Sequence, residues 1–261
     1  MFPYRKVLVT GASSGLGVEF SRQIAQKGAD LVLVARRADR LEALAAEIRG
    51  MGRSARVVVA DLFDSQARAM LGNVMKEEGV DLLINNAGFG FSGQFVASSF
   101  KTTSEMVELN VQALVELSHC AVAHFEAQGK PAGIINIAST AAFAPIPYFS
   151  VYAATKSFVL SFSTALAHEV KHKSIRVAAV CPGPTQTEFF VHAGANAENI
   201  KKSPLGLMTA RDCVAIALRK FECGKIVIPT GFMNSLFRIL SALLPNSILA
   251  PAAGKLMRDL R

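Results

Sequence analysis

The chain has 261 residues, of which 51% are hydrophobic and 18% are charged, and this composition excludes an intrinsically disordered chain. Its length can bury a sizeable core without disulfides or metal ions. A net charge of +8 could attract nucleic acid, an anionic membrane surface or a phosphorylated small molecule. Because the basic residues are scattered and no recognition motif is present, we expect no nucleic-acid partner.

Short apolar runs alternate with longer segments of helical periodicity along the whole chain. Runs without polar alternation are typical of strands that are covered on both faces. The pattern predicts an α/β fold with a Rossmann-type doubly wound parallel sheet of about seven strands, in a single domain over 1–261. The predicted strands are 7–10, 31–35, 57–60, 82–85, 134–138, 177–181 and 226–228, and helical segments include 15–28, 40–50, 104–128 and 149–172.

The first predicted strand leads directly into a glycine-rich turn and then a helix. Glycines at such a turn let the backbone approach a pyrophosphate, and the helix N-terminus offers free N–H groups. The spacing is G-x-x-x-G-x-G, which differs from the common G-x-G-x-x-G, and an ordinary turn also collects glycine. Because of its place between strand and helix, the turn predicts a dinucleotide site at Gly11, Ser13, Ser14, Gly15, Leu16 and Gly17.

The second predicted strand ends in Ala35-Arg36-Arg37, where NAD-binding proteins usually carry an acid for the ribose 2′-hydroxyl. Two guanidinium groups without a carboxylate suit a 2′-phosphate, which they can bind bidentately. The alternative is a solvated start to the next helix. We therefore expect NADP(H) in preference to NAD(H).

Tyr152 and Lys156 are spaced i, i+4 in a predicted helix, so their side chains share one face. An ammonium beside a phenol favours the phenolate and lowers the pKa of the tyrosine toward the range that an acid/base catalyst needs. Tyr148 has no lysine at i+4. Ser139 follows the fifth predicted strand, where its hydroxyl could hydrogen-bond a substrate oxygen.

Taken together, these motifs resemble the short-chain dehydrogenase/reductase family over nearly the whole chain. The matching segments are 10–17, Asp61-Leu62, Asn85-Asn86-Ala87-Gly88, Asn110, Ser139, Tyr152, Lys156 and 182–187.

The resemblance implies a catalytic group of four residues. Tyr152 would exchange the proton and Ser139 would polarise the carbonyl. Lys156 would hold the nicotinamide ribose and lower the pKa of Tyr152, and Asn110 would anchor a water that relays protons to Lys156. The alternative for Asn110 is a hydrogen bond inside a helix.

The resemblance also implies further contacts with the cofactor and an assembly. Asp61 would contact the adenine, although it could instead cap a helix. Homodimers or homotetramers are expected. The implied cofactor-binding residues are Asp61, Leu62, Asn85, Ala87, Tyr152, Lys156, Pro182, Gly183, Thr185 and Thr187.

Residues 168–172 spell H-E-x-x-H, the pattern of zinc proteases. The motif closes the predicted helix that carries Tyr152, and histidine and lysine are favourable at a helix C-terminus without a metal. We expect no metal site. The four cysteines, Cys120, Cys181, Cys213 and Cys223, have no close pair and favour a reducing compartment. The apolar run 7–9 is too short for a signal peptide, so a cytoplasmic location is expected.

Apolar residues dominate the segments that should surround the substrate. Residues 186–210 are predicted to cover the substrate, and the pocket predicts a hydrophobic ketone or aldehyde such as a 3-oxoacyl or steroid-like compound. The apolar candidates are Phe89, Phe91, Phe95, Phe143, Ile146, Phe149, Phe189, Phe190, Val191, Pro204, Leu205, Leu207 and Met208.

The chain continues beyond the last predicted strand with a helical extension over 230–261. Residues 232–244 form an apolar stripe at helical spacing, which favours packing on the core or on a partner subunit, or a lid, and leaves peripheral membrane contact as an alternative. We predict an NADP(H)-dependent oxidoreductase that interconverts a hydrophobic carbonyl compound and its alcohol. The alternative function is a catalytically idle dinucleotide-binding protein or a membrane-associated scaffold.

Overall fold

The computed structural model describes residues 2–189, 193 and 207–259. Most of the predicted substrate-covering segment 186–210 therefore lies outside the described residues. Among the apolar candidates of that segment, Phe190, Val191, Pro204 and Leu205 lie outside them.

Seven parallel strands form the central sheet, which confirms the predicted Rossmann-type architecture. They are β1 (Lys6–Thr10), β2 (Asp30–Ala35), β3 (Ala55–Val59), β4 (Leu82–Asn85), β5 (Ala132–Ile137), β6 (Ile175–Cys181) and β9 (Val227–Pro229). Their spatial order is β3-β2-β1-β4-β5-β6-β9. A further parallel pair, β7 (Thr185–Gln186) with β8 (Met208–Thr209), was not predicted.

Helices connect the strands and cover both faces of the sheet. They are α1 (Gly15–Gln26), α2 (Ala38–Gly50), α3 (Ser65–Glu77), α4 (Phe100–Val107), α5 (Ala113–Gln128), α6 (Ser150–Glu169), α7 (Ala210–Glu222), α8 (Phe232–Leu243) and α9 (Asn246–Asp259). The predicted helix 104–128 is interrupted by a π-helical turn, Glu108–Gln112, between α4 and α5. The predicted helix 149–172 ends at Glu169, and a 3-10 turn, Lys171–Lys173, follows it.

The core lies on both faces of the sheet because successive side chains of a strand point to opposite sides. Val7 and Val9 of β1 belong to the apolar cluster on one face, and Leu8 belongs to the cluster on the other. Strand β2 repeats this arrangement, so a continuous apolar run in the sequence gives two packed layers.

The strand order places the functional edge of the sheet. The chain builds β2 and β3 on one side of β1 and then returns to add β4, β5 and β6 on the other. Ligands of doubly wound sheets bind at the carboxyl ends of the strands, where the order reverses.

Two other expectations concern metals and membranes. His168 and Glu169 lie in the last turn of α6 and His172 in the 3-10 turn, and the described residues contain no cluster of side chains that could hold a metal. Within the same residues, no helix is both long and apolar enough to cross a bilayer.

Candidate active site

A cleft of about 860 Å³ runs along the carboxyl ends of β1, β2, β4, β5 and β6. It brings together most of the predicted site residues. Among the residues that line it are Gly11, Ser13, Ser14, Gly15, Leu16, Arg36, Arg37, Asp61, Leu62, Ala87, Ser139, Tyr152, Lys156, Pro182, Gly183, Thr185 and Thr187. Three predicted site residues do not line the cleft, namely Gly17, Asn85 and Asn110.

The glycine turn has a backbone that side chains would disrupt. Gly11 and Gly15 have φ angles of +65° and +55°, in the region that favours glycine. Gly17 has an ordinary φ, but a Cβ built on it would lie 2.2 Å from the carbonyl oxygen of Gly11. Asn86, which belongs to the matched segment Asn85–Gly88 but was given no role of its own, secures the turn by donating from Nδ2 to the carbonyl oxygen of Thr10 at 2.9 Å.

The start of α1 suits the pyrophosphate of a dinucleotide. Ser14 occupies the N-cap position without making a side-chain capping hydrogen bond, and the first turn of α1 carries no acidic residue. N–H groups at a helix N-terminus bind anions, and the helix dipole favours negative charge there. The turn and helix therefore fit the phosphates of a nicotinamide dinucleotide.

The two predicted arginines have different surroundings. Arg36 is 67% exposed, its Nη1 lies 3.9 Å from Oδ2 of Asp61, and its guanidinium lies over the ring of Phe63. Arg37 donates from Nε to Oγ of Ser13 at 3.1 Å and from Nη1 to Oε2 of Glu188 at 3.3 Å. Both line the cleft, but only Arg37 is bound into the glycine turn.

Tyr152 and Ser139 both line the middle of the cleft, where the Ser139 hydroxyl lies near enough to the Tyr152 phenol to lower its pKa. Ser139 is the N-cap of a 3-10 turn after β5, and its Oγ also accepts from the N–H of Ala141 at 3.1 Å. Tyr152 lies in the first turns of α6 and is buried between the rings of Phe149 and Phe189, with centroid distances of 4.3 and 5.3 Å. A phenol and a hydroxyl are thus fixed side by side at the boundary between two parts of the cleft.

The expected lowering of the Tyr152 pKa is absent from this structure. Burial raises the pKa of Tyr152 above its ordinary value, and the nearby Ser139 hydroxyl opposes the shift only in part. The Lys156 Nζ lies 5.7 Å from the Tyr152 ring centroid and donates to the carbonyl oxygen of Ile137 at 2.8 Å. Burial also lowers the pKa of Lys156 to about 8, so the ammonium is less favoured here than in water but is still the main form at neutral pH.

Asn110 occupies the π-helical turn, and its amide connects two other segments. Its Oδ1 accepts from the N–H of Phe89, and its Nδ2 donates to the carbonyl oxygen of Phe89 and to Oγ1 of Thr155. A Cβ built on Gly88 would lie 2.8 Å from this Oδ1 and 3.5 Å from Nζ of Lys156. The Asn110 amide and the Lys156 ammonium therefore both face the space beside the Cα of Gly88. A side chain at position 88 would fill that space.

The side chain of Asn85 is in the core rather than in the cleft. As the last residue of β4 it points toward α5, where Nδ2 donates to Oγ of Ser118 at 3.1 Å and to Oδ1 of Asn136 at 2.9 Å. Asn85 was predicted among the cofactor-binding residues, but its side chain does not line the cleft. The next residues, Asn86 and Ala87, line the cleft instead.

The far end of the cleft is apolar and differs in part from the prediction. Phe89, Ile146, Phe149 and Phe189 line it as expected. Phe95 was wrongly predicted, because it is 65% exposed on a 3-10 turn. Phe91 and Phe143 pack in apolar clusters beside the cleft, and Leu207 and Met208 do not line it.

The C-terminal helices supply a wall of the cleft that the sequence did not specify. The contributing side chains are Phe237 of α8 and Leu249, Ala252, Ala253, Leu256 and Met257 of α9. Gly254 brings α9 close to the loop before α6, since a Cβ there would lie 3.1 Å from Pro147. The extension therefore lies over the apolar end of the cleft.

Comparison with known proteins agrees with this geometry. The family model for short chain dehydrogenase matches residues 5–198. The chain is 29% identical to 17-beta-hydroxysteroid dehydrogenase type 3 of Homo sapiens over 194 residues, which is 72% of this chain and 62% of that protein.

Solved structures are similar over most of their length. A short-chain dehydrogenase from Sphingobium yanoikuyae in complex with NADPH is 34% identical, with 92% of this chain and 94% of that chain covered and a TM-score of 0.82. The bulky-bulky ketone specific alcohol dehydrogenase from Comamonas testosteroni is 31% identical with the same coverage and a TM-score of 0.79. The similar structures include complexes with NADPH and with NADH.

Proposed function

Since the chain belongs to the short-chain dehydrogenase family, whose nicotinamide-dependent members oxidise alcohols and reduce carbonyls, we propose that it is an NADP(H)-dependent reductase of a bulky apolar carbonyl compound. One observation carries this proposal. Tyr152 and Ser139 line one cleft together, between a basic, glycine-rich end and an apolar end. Such an arrangement suits a phosphorylated cofactor on one side and an apolar substrate on the other.

The preference for NADP(H) rests on the end of β2. Arg36 is the more exposed arginine, and its nearest carboxylate oxygen, on Asp61, lies 3.9 Å away, beyond normal hydrogen-bond distance. Its guanidinium is therefore available for charge-assisted hydrogen bonds to a 2′-phosphate. No acidic residue occupies the two positions after Ala35, where a carboxylate would serve a 2′-hydroxyl.

In the proposed reduction, the nicotinamide supplies the hydride when bound, and the chain positions the carbonyl and supplies the proton. Ser139 Oγ would hydrogen-bond the substrate oxygen and polarise the carbonyl. Tyr152 Oη would donate its proton to that oxygen as the alcohol forms. Tyr152 is protonated at neutral pH and can therefore act as the proton donor in the reducing direction, while burial makes it a weaker acid than an ordinary tyrosine.

Lys156 and Asn110 would help to return a proton to Tyr152 after it has protonated the substrate oxygen. Lys156 Nζ and Asn110 Oδ1 face the same point beside Gly88. An ammonium whose pKa is about 8 can release and regain a proton near neutral pH. We assign Lys156 to holding the nicotinamide ribose and Asn110 to positioning the proton path toward it.

The substrate class follows from the walls of the far end. Phenylalanines from four segments and small or aliphatic residues of α9 surround it, and this favours a ring system or a long acyl chain. Two similar proteins, a hydroxysteroid dehydrogenase and an alcohol dehydrogenase specific for bulky-bulky ketones, point to the same substrate class.

The test is a fluorescence titration of the protein with NADPH and with NADH, followed by turnover of NADPH with bulky aryl ketones and a steroid ketone. We expect tighter binding of NADPH and oxidation of NADPH by at least one ketone. Tighter binding of NADH would overturn the cofactor assignment. Binding without any turnover would favour the idle dinucleotide-binding alternative.

Assembly, location and membrane contact stay predictions. A homodimer or homotetramer and a cytoplasmic location are expected from the sequence. The outer side of α8 exposes apolar residues, among them Phe232, Ile239 and Leu243. This observation is what keeps peripheral membrane contact among the predictions.

A further inference from the structure

Glu188 joins the basic corner of the cleft to the short segment Thr187–Phe189, which follows β7. Its carboxylate accepts from Nη1 of Arg40 at 2.8 and 3.0 Å and from Nη1 of Arg37 at 3.3 Å. The two arginines follow β2, whereas Glu188 follows β7, about 150 residues later in the chain. Neither Glu188 nor Arg40 was singled out from the sequence.

The residues on either side of Glu188 contact two other parts of the site. Thr187 lies against the glycine turn, because a Cβ built on Gly15 would meet its side chain at 3.2 Å. Phe189 lies against the Tyr152 ring. Three consecutive residues thus contact the phosphate turn, the arginine pair and the proposed acid.

The carboxylate also determines the charge around the proposed 2′-phosphate. Arg40 and Arg37 lower the pKa of Glu188, which is therefore an anion at neutral pH. Arg37 lines the cleft and is shared between Ser13 and Glu188, whereas Arg40 lies outside the lining. A 2′-phosphate that approaches Arg37 would meet the negative charge of Glu188 on the same guanidinium.

Building on the proposed function, we propose that Glu188 is a positioning residue that favours turnover of the carbonyl substrate and weakens the binding of NADPH. Through Arg40 it tethers the Phe189 segment against Tyr152, which favours carbonyl turnover. Through Arg37 it competes with the 2′-phosphate, which weakens NADPH binding. Removing the carboxylate should therefore tighten NADPH binding and impair turnover, a combination that mere loss of structure would not produce.

The size of the effect follows from the exposure of the groups. Ion pairs between partly exposed side chains are weak. Removing the Glu188 carboxylate should therefore change NADPH affinity and turnover by about two- to fivefold each. The effect on NADPH should shrink as salt is added, because screening weakens exposed charges.

The first arm measures nucleotide affinity for Glu188→Gln, with NADPH, NADH and adenosine 2′,5′-bisphosphate as probes. We expect the two probes with a 2′-phosphate to bind about two- to fivefold tighter and NADH to be unchanged. Arg40→Gln should do the reverse, because the freed carboxylate would pair more fully with Arg37. Glu47→Gln is the matched control, since Glu47 forms an exposed pair with Arg22 between α1 and α2, away from the cleft.

The second arm measures the tether without a substrate. The chain has no tryptophan, so Phe189→Trp introduces a single reporter. In that background, Glu188→Gln and Arg40→Gln should both raise acrylamide quenching of the tryptophan, and Glu47→Gln should not. Circular dichroism melts check that each variant is folded.

The outcomes separate the inference from the proposed function. If the wild type prefers NADPH but Glu188→Gln matches Glu47→Gln in both arms, the coupling is wrong and the proposed function stands. If the wild type binds neither nucleotide, the proposed function and the competition at Arg37 fail together. In that case the quenching arm still decides whether Glu188 tethers the Phe189 segment.

Discussion

The nucleotide half of the cleft consists of residues that directly follow strands, whereas the substrate half consists of side chains from distant segments. Gly11, Arg36, Asp61 and Ala87 each lie within two residues of the end of β1, β2, β3 or β4. At the other end, Ile146 precedes α6, Phe189 follows β7 and Leu256 belongs to α9.

This difference separates two kinds of constraint. The nucleotide half depends on backbone shape, and a single methyl group at Gly17 would collide with the Gly11 carbonyl. The substrate half depends on side-chain volume, which can change without moving a strand. We therefore expect substitutions in the first half to affect binding and folding together, and substitutions in the second to affect substrate choice alone.

The largest effect is expected where the halves meet. Tyr152→Phe removes the proposed proton donor and should lower kcat for carbonyl reduction by about 10²- to 10⁴-fold. The NADPH dissociation constant should change by less than about twofold, because the phenol is proposed to act on the substrate oxygen. Rapid-mixing kinetics and fluorescence titration measure the two quantities.

Tyr148→Phe is the matched control for this variant, because Tyr148 does not line the cleft. It should retain most of the turnover. Equal losses in the two variants would show that a general disturbance of the start of α6, rather than an acid at Tyr152, explains the result.

Gly17→Ala tests the backbone constraint on the nucleotide half. We expect about 1–3 kcal/mol of lost stability, because the new Cβ must displace main-chain atoms. NADPH affinity should fall at least tenfold, since the same atoms shape the phosphate turn. Thermal unfolding and nucleotide titration measure both.

Gly50→Ala provides the comparison. Gly50 lies at the end of α2 with open space around its Cα, so alanine should leave the protein unchanged or stabilise it by up to about 1 kcal/mol. If the two variants melt alike, the turn tolerates side chains and the contrast between the halves fails.

The sequence was informative about features that depend on short spacing. The glycine turn and the i, i+4 pair of Tyr152 and Lys156 are local, and the sheet follows from strand composition and crossover rules. Local spacing could not distinguish Asn85 from Asn86, because the exact end of β4 determines which amide turns into the core. It also could not predict the π-helical turn at Asn110, which interrupts an otherwise continuous helical pattern.

Long-range contacts were beyond the sequence for a physical reason. The pairing of Glu188 with Arg40 depends on how two loops meet in space, and no periodicity reports it. The wall formed by α9 depends on where that helix lies after α8 and on the close approach of Gly254 to Pro147. Phe95 was misplaced because an aromatic residue in a loop has no pattern that separates a pocket wall from an exposed turn.

Arg36→Gln tests whether the arginine binds the 2′-phosphate of NADPH specifically or contributes to nucleotide binding in general. Loss of a charge-assisted contact with a 2′-phosphate should weaken NADPH binding by about tenfold and leave NADH nearly unchanged. Lys101→Gln removes the same charge from an exposed position outside the lining and should affect neither nucleotide. Equal loss of NADPH and NADH binding in Arg36→Gln would assign the arginine to the nucleotide in general.

Leu256→Ala tests the substrate half. The leucine lines the cleft, so its truncation should change KM for a bulky ketone by about three- to tenfold and leave NADPH affinity unaltered. Leu243→Ala is the control, because that leucine is 75% exposed on α8 and does not line the cleft. An effect of Leu256→Ala on nucleotide affinity would mean that the halves are not independent.

The smallest expected effect concerns Lys156, which lies at the boundary of the two halves. Its pKa is about 8 in the folded protein against an ordinary 10.5, so the unfolded chain binds more protons between these values. Stability contributed through this group must therefore rise as the pH increases through that window, and the cost of the buried ammonium is fully present below pH 8.

Lys156→Met removes this dependence. The melting temperature of the wild type, measured relative to that of the variant, should increase by about 2–4 °C between pH 7.5 and pH 9.5, a range that ends below the ordinary pKa of tyrosine. The same substitution at the exposed Lys101 should give a constant difference over this range. A constant difference for Lys156→Met as well would mean that the ammonium keeps its ordinary pKa when buried, and that the boundary between the halves stays charged up to about pH 10.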